Sequence, residues 1–407
     1  MKPAWRAHNN VPTRNLRVAD KTFFCFWGGL TTIGGNIVEI GYGDARVFTD
    51  FGRAYNPANP AGMPDGLIEH IQSLSGPVGV FISHLHLDHM GAIDALPASV
   101  PVYMTKGSAL LHQALNEPPH HGDIRGVAYK TPVSVGGIDV TFYETDHDVY
   151  GAAAIYVQTP DLKLAHSGDI RMHGANPQIN EAWCTAMRDA QLDYLLMEGT
   201  SFWPPVPEGE ESNDNKITQI AESEVPNAVE AILRKHTGIA FVNWYPRNID
   251  RIIGLAQAAQ KAGRTLVLEP SAAQIASRIV PDLKYVNDAQ GLSPEKLLMQ
   301  NSYANFASID GYDNADAVYI HSNGVPLGPF DPAFGEMLTR LEEKGIAFAQ
   351  VSSSGHAPPA DILALIDKIK PKVLMPWHST TPTQMIPVDP NQQVVIPQLG
   401  VDYHAAI

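Results

Sequence analysis

The run His84-Leu85-His86-Leu87-Asp88-His89 constrains this chain more than any other stretch of it. Four side chains able to ligate a metal fall within six residues. Burying that many imidazoles and a carboxylate together is costly unless a cation binds them. The run follows the apolar strand signal Val78-Gly79-Val80-Phe81-Ile82 and precedes the small residues Gly91-Ala92, which argues against a solvated His-rich loop. On an extended strand end, His84 and His86 face one side. Asp88 and His89 follow Leu87 in direct succession and suit a turn aimed at a second nearby position. Imidazole combined with carboxylate suits zinc, manganese or iron.

Other chemistry-bearing residues recur at the ends of predicted strands. A strand over 138–143 leads to Asp146-His147-Asp148, and a hairpin over 153–158 and 162–166 ends at Ser167-Gly168-Asp169. Strands at 194–197 and 372–375 run into Glu198-Gly199-Thr200 and Pro376-Trp377-His378. Open sheets present their chemistry in that position. His166 and His173 flank Asp169 and suit packing or support roles, and His120 and His121 read as surface residues. Between 238 and 344, strands (238–243, 265–268, 317–321) alternate with helices (248–262 and about 332–344), the pattern of a parallel, doubly wound sheet. A strand over 346–351, the turn Ser352-Ser353-Ser354-Gly355-His356 and a helix over 359–369 follow. The shift to Trp203-Pro204-Pro205-Val206-Pro207 and the acidic stretch after it marks a boundary.

These residues resemble the metallo-β-lactamase fold, an αββα sandwich whose members share His-x-His-x-Asp-His and hold two metals at one sheet edge. Asp50 resembles the family's early acidic residue, which supports the ligand loop; His147 its third histidine; and Asp169 its bridging carboxylate. The resemblance narrows to the β-CASP group of nucleic-acid-processing enzymes, ribonuclease J-like proteins in particular. Glu198, the segment Ser354-Gly355-His356-Ala357, His378 and the helix start 246–251 are similar to that group's elements, and the match runs over nearly the full chain. Where the group has His-Gly-Glu, this chain has His378-Ser379-Thr380.

The resemblance implies an α/β protein with a metallo-β-lactamase unit over 1–204 and 347–407 and an inserted β-CASP-like α/β domain over 205–346. It implies one ion at His84, His86 and His147, another at Asp88, His89 and His378, and Asp169 between them. Zinc fits these ligands best and manganese is close behind. Two such ions about 4 Å apart suit hydrolysis by an activated water. Asp88 and Asp169 thereby serve catalysis as well as ligation, and His356, oriented by Glu198, is the candidate general acid. Ser352, Ser353 and Ser354 before a helix, together with Arg247 and Arg251, are candidates to meet phosphate. The expected substrate is single-stranded RNA, cut by exonuclease or endonuclease action, with a homo-oligomer as an open possibility. Two rivals stand beside that reading: a small-molecule metallohydrolase on the same fold, since fold alone does not fix chemistry, and a non-catalytic RNA-binding scaffold. Ribonuclease J enzymes carry a further C-terminal domain, and this sequence ends 29 residues after His378, so assembly and RNA tracking are expected to differ.

Composition bounds the rest. A chain of 407 residues exceeds one typical compact domain. A formal net charge of -15 excludes a broad basic nucleic-acid face, although bound metal ions change the local field. Two distant cysteines, Cys25 and Cys184, predict buried thiols in a reducing compartment, hence the cytoplasm. The N-terminus predicts no signal peptide, and no stretch approaches the roughly 18 apolar residues of a membrane span.

Overall fold

Side chains of successive strand residues point to opposite faces, so a strand apolar throughout must be covered on both sides. The strand Ala153–Gln158 meets that demand: Ile155 and Val157 enter one core cluster, and Ala154 and Tyr156 enter another. In the computed structural model, which describes residues 21–54, 62–203, 220–312, 315–324 and 333–405, this pattern builds two facing sheets. The first orders its strands Tyr403–His404, Phe23–Phe26, Val38–Tyr42, Ala45–Thr49, Val78–Phe81, Val102–Thr105 and Ile124–Val127. The second orders Gln393–Val394, Val373–Trp377, Tyr194–Glu198, Lys163–His166, Ala153–Gln158, Ile138–Glu144 and Val133–Val135.

Between them lies a core of Phe24, Phe26, Val47 and Phe81 from one sheet and Phe142, Ile155, Leu196 and Trp377 from the other. The helices Gln178–Ala190 and Pro359–Ile369 cover the outer face of the second sheet through Trp183, Met187, Ile362 and Ile366. On the first sheet, Phe48, Val80 and Val102 pack outward into a cluster with Leu67 and Ile71 of the helix Leu67–Ser73 and Leu111 of the helix Lys106–Leu115. This is the expected αββα sandwich. Both cysteines are buried, as expected, and among the described residues no helix is long and apolar enough to cross a membrane.

The strand–helix alternation after residue 220 forms a third sheet, all parallel, in the order Thr265–Val267, Leu297–Gln300, Ala240–Trp244, Val318–Ser322 and Ala347–Gln350. One correction concerns its end. The returning unit was expected from residue 347, but Ala347–Gln350 pairs with Val318–Ser322 inside the third sheet. An edge strand shares its ladder with its neighbour whatever family boundary falls beside it. The expected boundary at 204–205, the residues around the N-terminus and the start of the helix predicted from 332 lie outside the described residues.

Buried charge joins the third sheet to the sandwich. Arg171, fully buried, donates to Asp146 at 2.8 Å and to Glu222 at 2.9 Å. Glu222 in turn accepts from Arg251 Nε at 2.6 Å and Nη2 at 2.9 Å. Asp146 immediately precedes His147, so this network fixes the loop that carries a candidate ligand. Removing one partner of a buried pair leaves an uncompensated charge and costs about 3–5 kcal/mol. Arg171→Ala is therefore expected to lower the unfolding free energy measured by denaturant titration by an amount in that range. A loss below about 1 kcal/mol would mean that water reaches Asp146 and Glu222 and that the network does not hold the units together.

Candidate metal centre

The ligand run is positioned by the strand before it and by a second segment laced to its backbone. Asp50, closing the strand Ala45–Thr49, adopts a left-handed φ of 59°, a conformation that costs a residue with a side chain energy and persists where surroundings impose it. There its carboxylate accepts from Ser83 N at 2.7 Å and Ser83 Oγ at 2.9 Å, and His89 Nδ1 donates to it at 2.7 Å. The bond turns His89 Nε2 inward, the arrangement in which a carboxylate fixes the ring of a metal ligand. Phe51 N donates to His89 O at 2.7 Å and Arg53 N to Leu87 O at 3.0 Å. Gly52 lies between them, and a Cβ there would stand 1.6 Å from Asp88 O, so only glycine allows the approach. Asp88 and His89 ride on the single helical turn Leu87–Met90, which is the turn expected from their spacing.

Two donor sets result. His84, His86, His147 and Asp169 form one, and Asp88, His89, His378 and Asp169 the other, each with ligand atoms within 4.8 Å of one another. In the first, His84 Nε2 and His147 Nε2 lie 3.0 and 3.2 Å from His86 Nδ1. In the second, Asp88 Oδ2 lies 3.0 Å from His378 Nε2 and 3.5 Å from His89 Nε2, and Asp169 Oδ2 lies 3.2 Å from His89 Nε2. His378, at the end of the strand Val373–Trp377, has a φ of 48° and is held by its N–H on Gly29 O at 2.8 Å and by a bond between Nδ1 and Thr200 Oγ1 at 2.9 Å. These are mixed imidazole and carboxylate donors, and Asp169 Oδ1 is buried without a hydrogen bond among the described residues. The sets fit divalent cations.

The protons divide between the sets. Burial, reinforced by His89, pushes His84 well below its ordinary value; burial brings His86 down to about 4 and lowers His147. Those three rings are neutral and ready to ligate. Burial would also lower His378 and His89, but Asp169 and Asp88 override it, raising His378 to about 9 and His89 well above the usual range. Burial opposes the charged form of Asp169, yet His89 and His378 hold it well below the carboxylate range.

A third cluster shares Asp169: Glu198 and His356. Glu198 ends the strand Tyr194–Glu198 and is 1% exposed. Its Oε2 accepts from Thr200 N at 3.0 Å and its Oε1 from His356 Nδ1 at 3.1 Å. That leaves His356 Nε2 4.0 Å from Asp169 Oδ2. Burial works against a charged His356, but Glu198 raises it to about 10.

The candidates for phosphate contact fare differently. Arg251 is a correction: it is buried, with its guanidinium on Glu222, Ser322 Oγ and Ser322 O, so it braces the third sheet and offers nothing to a ligand. Arg247 is half-buried beside the site, donating to Leu85 O in the ligand run. Ser352 and Ser353 are buried, and Ser353 Oγ has no partner among the described residues. Ser354 Oγ accepts from His356 N at 3.1 Å, and Ser354 O accepts from His173 Nε2 at 3.0 Å. Two residues at the site escaped the sequence reading. Tyr245 puts its ring 5.3 Å from that of His86, and Asp148 puts Oδ1 3.2 Å from His147 Nε2. Adjacency to His147 was the only signal for Asp148.

The fold and the two donor sets define a metallo-β-lactamase-type centre. No family model matches the chain. It is 22% identical to ribonuclease J of Mycolicibacterium smegmatis, over 87% of this chain and 68% of that protein. It is 23% identical to ribonuclease J 1 of Streptococcus pyogenes, over 92% of this chain and 71% of that one. A crystal structure of a protein of unknown function from Enterococcus faecalis superposes with a TM-score of 0.77 at 28% identity, covering 94% of this chain and all of that one. The chain is thus similar over most of its length to ribonuclease J proteins, members of the β-CASP group of the metallo-β-lactamase fold.

The proton distribution predicts unequal metal uptake. Ligation requires deprotonated donors. Below about pH 9 an ion entering the second set must displace a proton from His378, so its affinity falls as pH drops from 9 toward 6. The first set, with His86 near 4, should change little over that range. Chelator competition with zinc at several pH values tests this. Two ions with the same pH slope would show that the protons are not divided in this way.

Proposed function

We propose that this chain hydrolyses RNA phosphodiester bonds with two divalent ions, zinc in preference to manganese. In this assignment His84, His86 and His147 would hold one ion, Asp88, His89 and His378 the other, and Asp169 would serve both. Two ions in such a site make water nucleophilic at neutral pH and offset charge on the phosphoryl oxygens.

The chain's own groups do the rest. Asp50 keeps His89 turned inward, and Thr200 and Gly29 keep His378 in place. Glu198 holds a proton on His356, whose Nε2 points into the site beside Asp169. A departing 3′-oxygen needs a proton, and a charged imidazole fixed there can donate it. That pairing is the single observation that carries the nuclease reading, because a hydrolase acting on a good leaving group has little need of a half-buried imidazole kept charged by a carboxylate. Arg247 and Ser353 are the residues proposed to meet the strand's phosphates. The strand would be single, passing between the sandwich (residues 1–204 and from 351 on) and the inserted domain; a cytoplasmic location and self-association belong to the same proposal.

One observation favours the small-molecule alternative. A cavity of about 240 Å³ beside His147 is lined by Glu144, Asp146, Asp148 and Asp250. Asp146 and Asp250 face Arg171, so Glu144 and Asp148 are the carboxylates that make this lining acidic, which suits a neutral or cationic group.

A single-stranded RNA with a 5′-monophosphate and a label at each end decides between the readings. With wild-type protein loaded with zinc or manganese, cleavage is expected, and Asp169→Ala should abolish it. Mononucleotides released from the 5′ end mean exonuclease action, and internal fragments mean endonuclease action. Intact RNA alongside hydrolysis of a generic ester would promote the small-molecule reading. The Glu198–His356 pair makes a second prediction. Because Glu198 raises His356, Glu198→Gln removes that support, and the alkaline limb of the rate profile should move down by at least about one pH unit. An unmoved limb would remove His356 from the proton-donor role.

A further inference from the structure

The surroundings of His147 are out of balance in a way the two donor sets do not resolve. Its Nδ1 donates to Gly355 O, a pure acceptor, at 2.5 Å. In a neutral ring that leaves a lone pair on Nε2. The polar atoms near Nε2 are His86 Nδ1 and Asp148 Oδ1, both at 3.2 Å, and Asp169 Oδ2 at 4.0 Å, and the two carboxylate oxygens can only accept. Asp148 Oδ1 is buried and makes no hydrogen bond among the described residues, and it stands 3.6 Å from His86 Nε2. A buried carboxylate oxygen set against an imidazole lone pair is unfavourable until a cation lies between them.

The spacing matches shared ligation. Donors bound to one ion at about 2.0–2.2 Å in a five-coordinate sphere lie about 2.8–3.8 Å apart. The 3.2 Å between Asp148 Oδ1 and His147 Nε2 equals the separation of His147 Nε2 from His86 Nδ1 within the first set. The backbone also makes room for this carboxylate. A Cβ at position 355 would stand 2.8 Å from Asp148 Oδ1, so Gly355 opens the space that the carboxylate fills.

We propose that Asp148 is a further protein ligand of the ion held by His84, His86 and His147, an inference that rests on the two-metal reading above. The first ion then has two carboxylates, Asp148 and Asp169, and three imidazoles, which neutralise it and fill positions that water or a substrate oxygen would take. The second ion, with Asp88, His89, His378 and Asp169, keeps the more open sphere.

The test uses the full chain loaded with zinc, as wild type and as Asp148→Asn, a near-isosteric change that removes the charge. Crystals measured at the zinc edge should place an Asp148 oxygen about 2.0–2.2 Å from the first ion. Chelator competition should show that ion bound at least tenfold more weakly in Asp148→Asn, with the second ion unchanged. An Asp148 oxygen beyond about 3 Å overturns ligation even if affinity falls, because a carboxylate that merely orients His86 would weaken binding from that distance. Equal affinities in the two proteins overturn it as well. Absence of zinc peaks at His84, His86 and His147 in the wild type would sink the two-metal reading itself and this proposal with it.

Discussion

Asp169 is a single carboxylate placed against three clusters of titratable side chains, and the arrangement of both sheets around it follows from the electrostatics of that position. It ends the hairpin of Ala153–Gln158 and Lys163–His166 in the second sheet, while the run that meets it ends Val78–Phe81 in the first. Eight further donors approach it, some from far apart in the chain, as in the Asp88–His378 pair 290 residues apart. Without cations such a concentration of imidazole and carboxylate is held together only by the protons that His89, His378 and His356 retain. A bound ion does the same work at a fixed position and with more charge, which is why the site reads as a cation's and not as an ordinary buried ion-pair network.

The third sheet enters this economy from the side. Arg171 ties Asp146 to Glu222, and Arg247 reaches Leu85 O, so two arginines connect the inserted sheet's neighbourhood to the two loops that carry His147 and the His84–His89 run. Tyr245 closes over His86 between them. A shift of the third sheet would be felt at the first donor set before the second, because Leu85 lies between His84 and His86 and Asp146 immediately precedes His147.

Legibility in the sequence followed locality. The His84–His89 run, Asp169 and His378 could be read because each ends a strongly apolar strand, and strand ends are marked by a loss of period that a single sequence shows. The paired layers were legible for the same reason: Ile155 and Val157 against Ala154 and Tyr156 demand covers on both faces. The helices Lys106–Leu115 and Val225–Lys235 went unread, since short amphipathic helices between loops give weak periodicity. Arg251 misled because a helix-start arginine looks exposed until its partner is known, and Glu222 lies 29 residues away in sequence. Asp148 was hidden by the same limitation: its role depends on Gly355, 207 positions later in the chain, leaving space for its carboxylate.

The net charge of -15 set the sequence against a polyanionic substrate, and the site shows where that objection has force and where it does not. Charge acts over about one Debye length, roughly 8 Å in physiological salt, so the sum over the surface says little about the field at a buried centre. At the centre, two divalent ions would add four positive charges to a set whose carboxylates are Asp88, Asp148 and Asp169, with His356 kept charged by Glu198. Locally, then, an anion would be attracted to the ions and to Arg247, and repelled at Glu144 behind His147, where Asp146 and Asp250 already face Arg171. An acidic exterior with a compact positive centre favours slow, selective capture of a strand over tight tracking along it. That is the opposite balance to a protein that grips nucleic acid through a basic face, whose affinity grows with each phosphate neutralised.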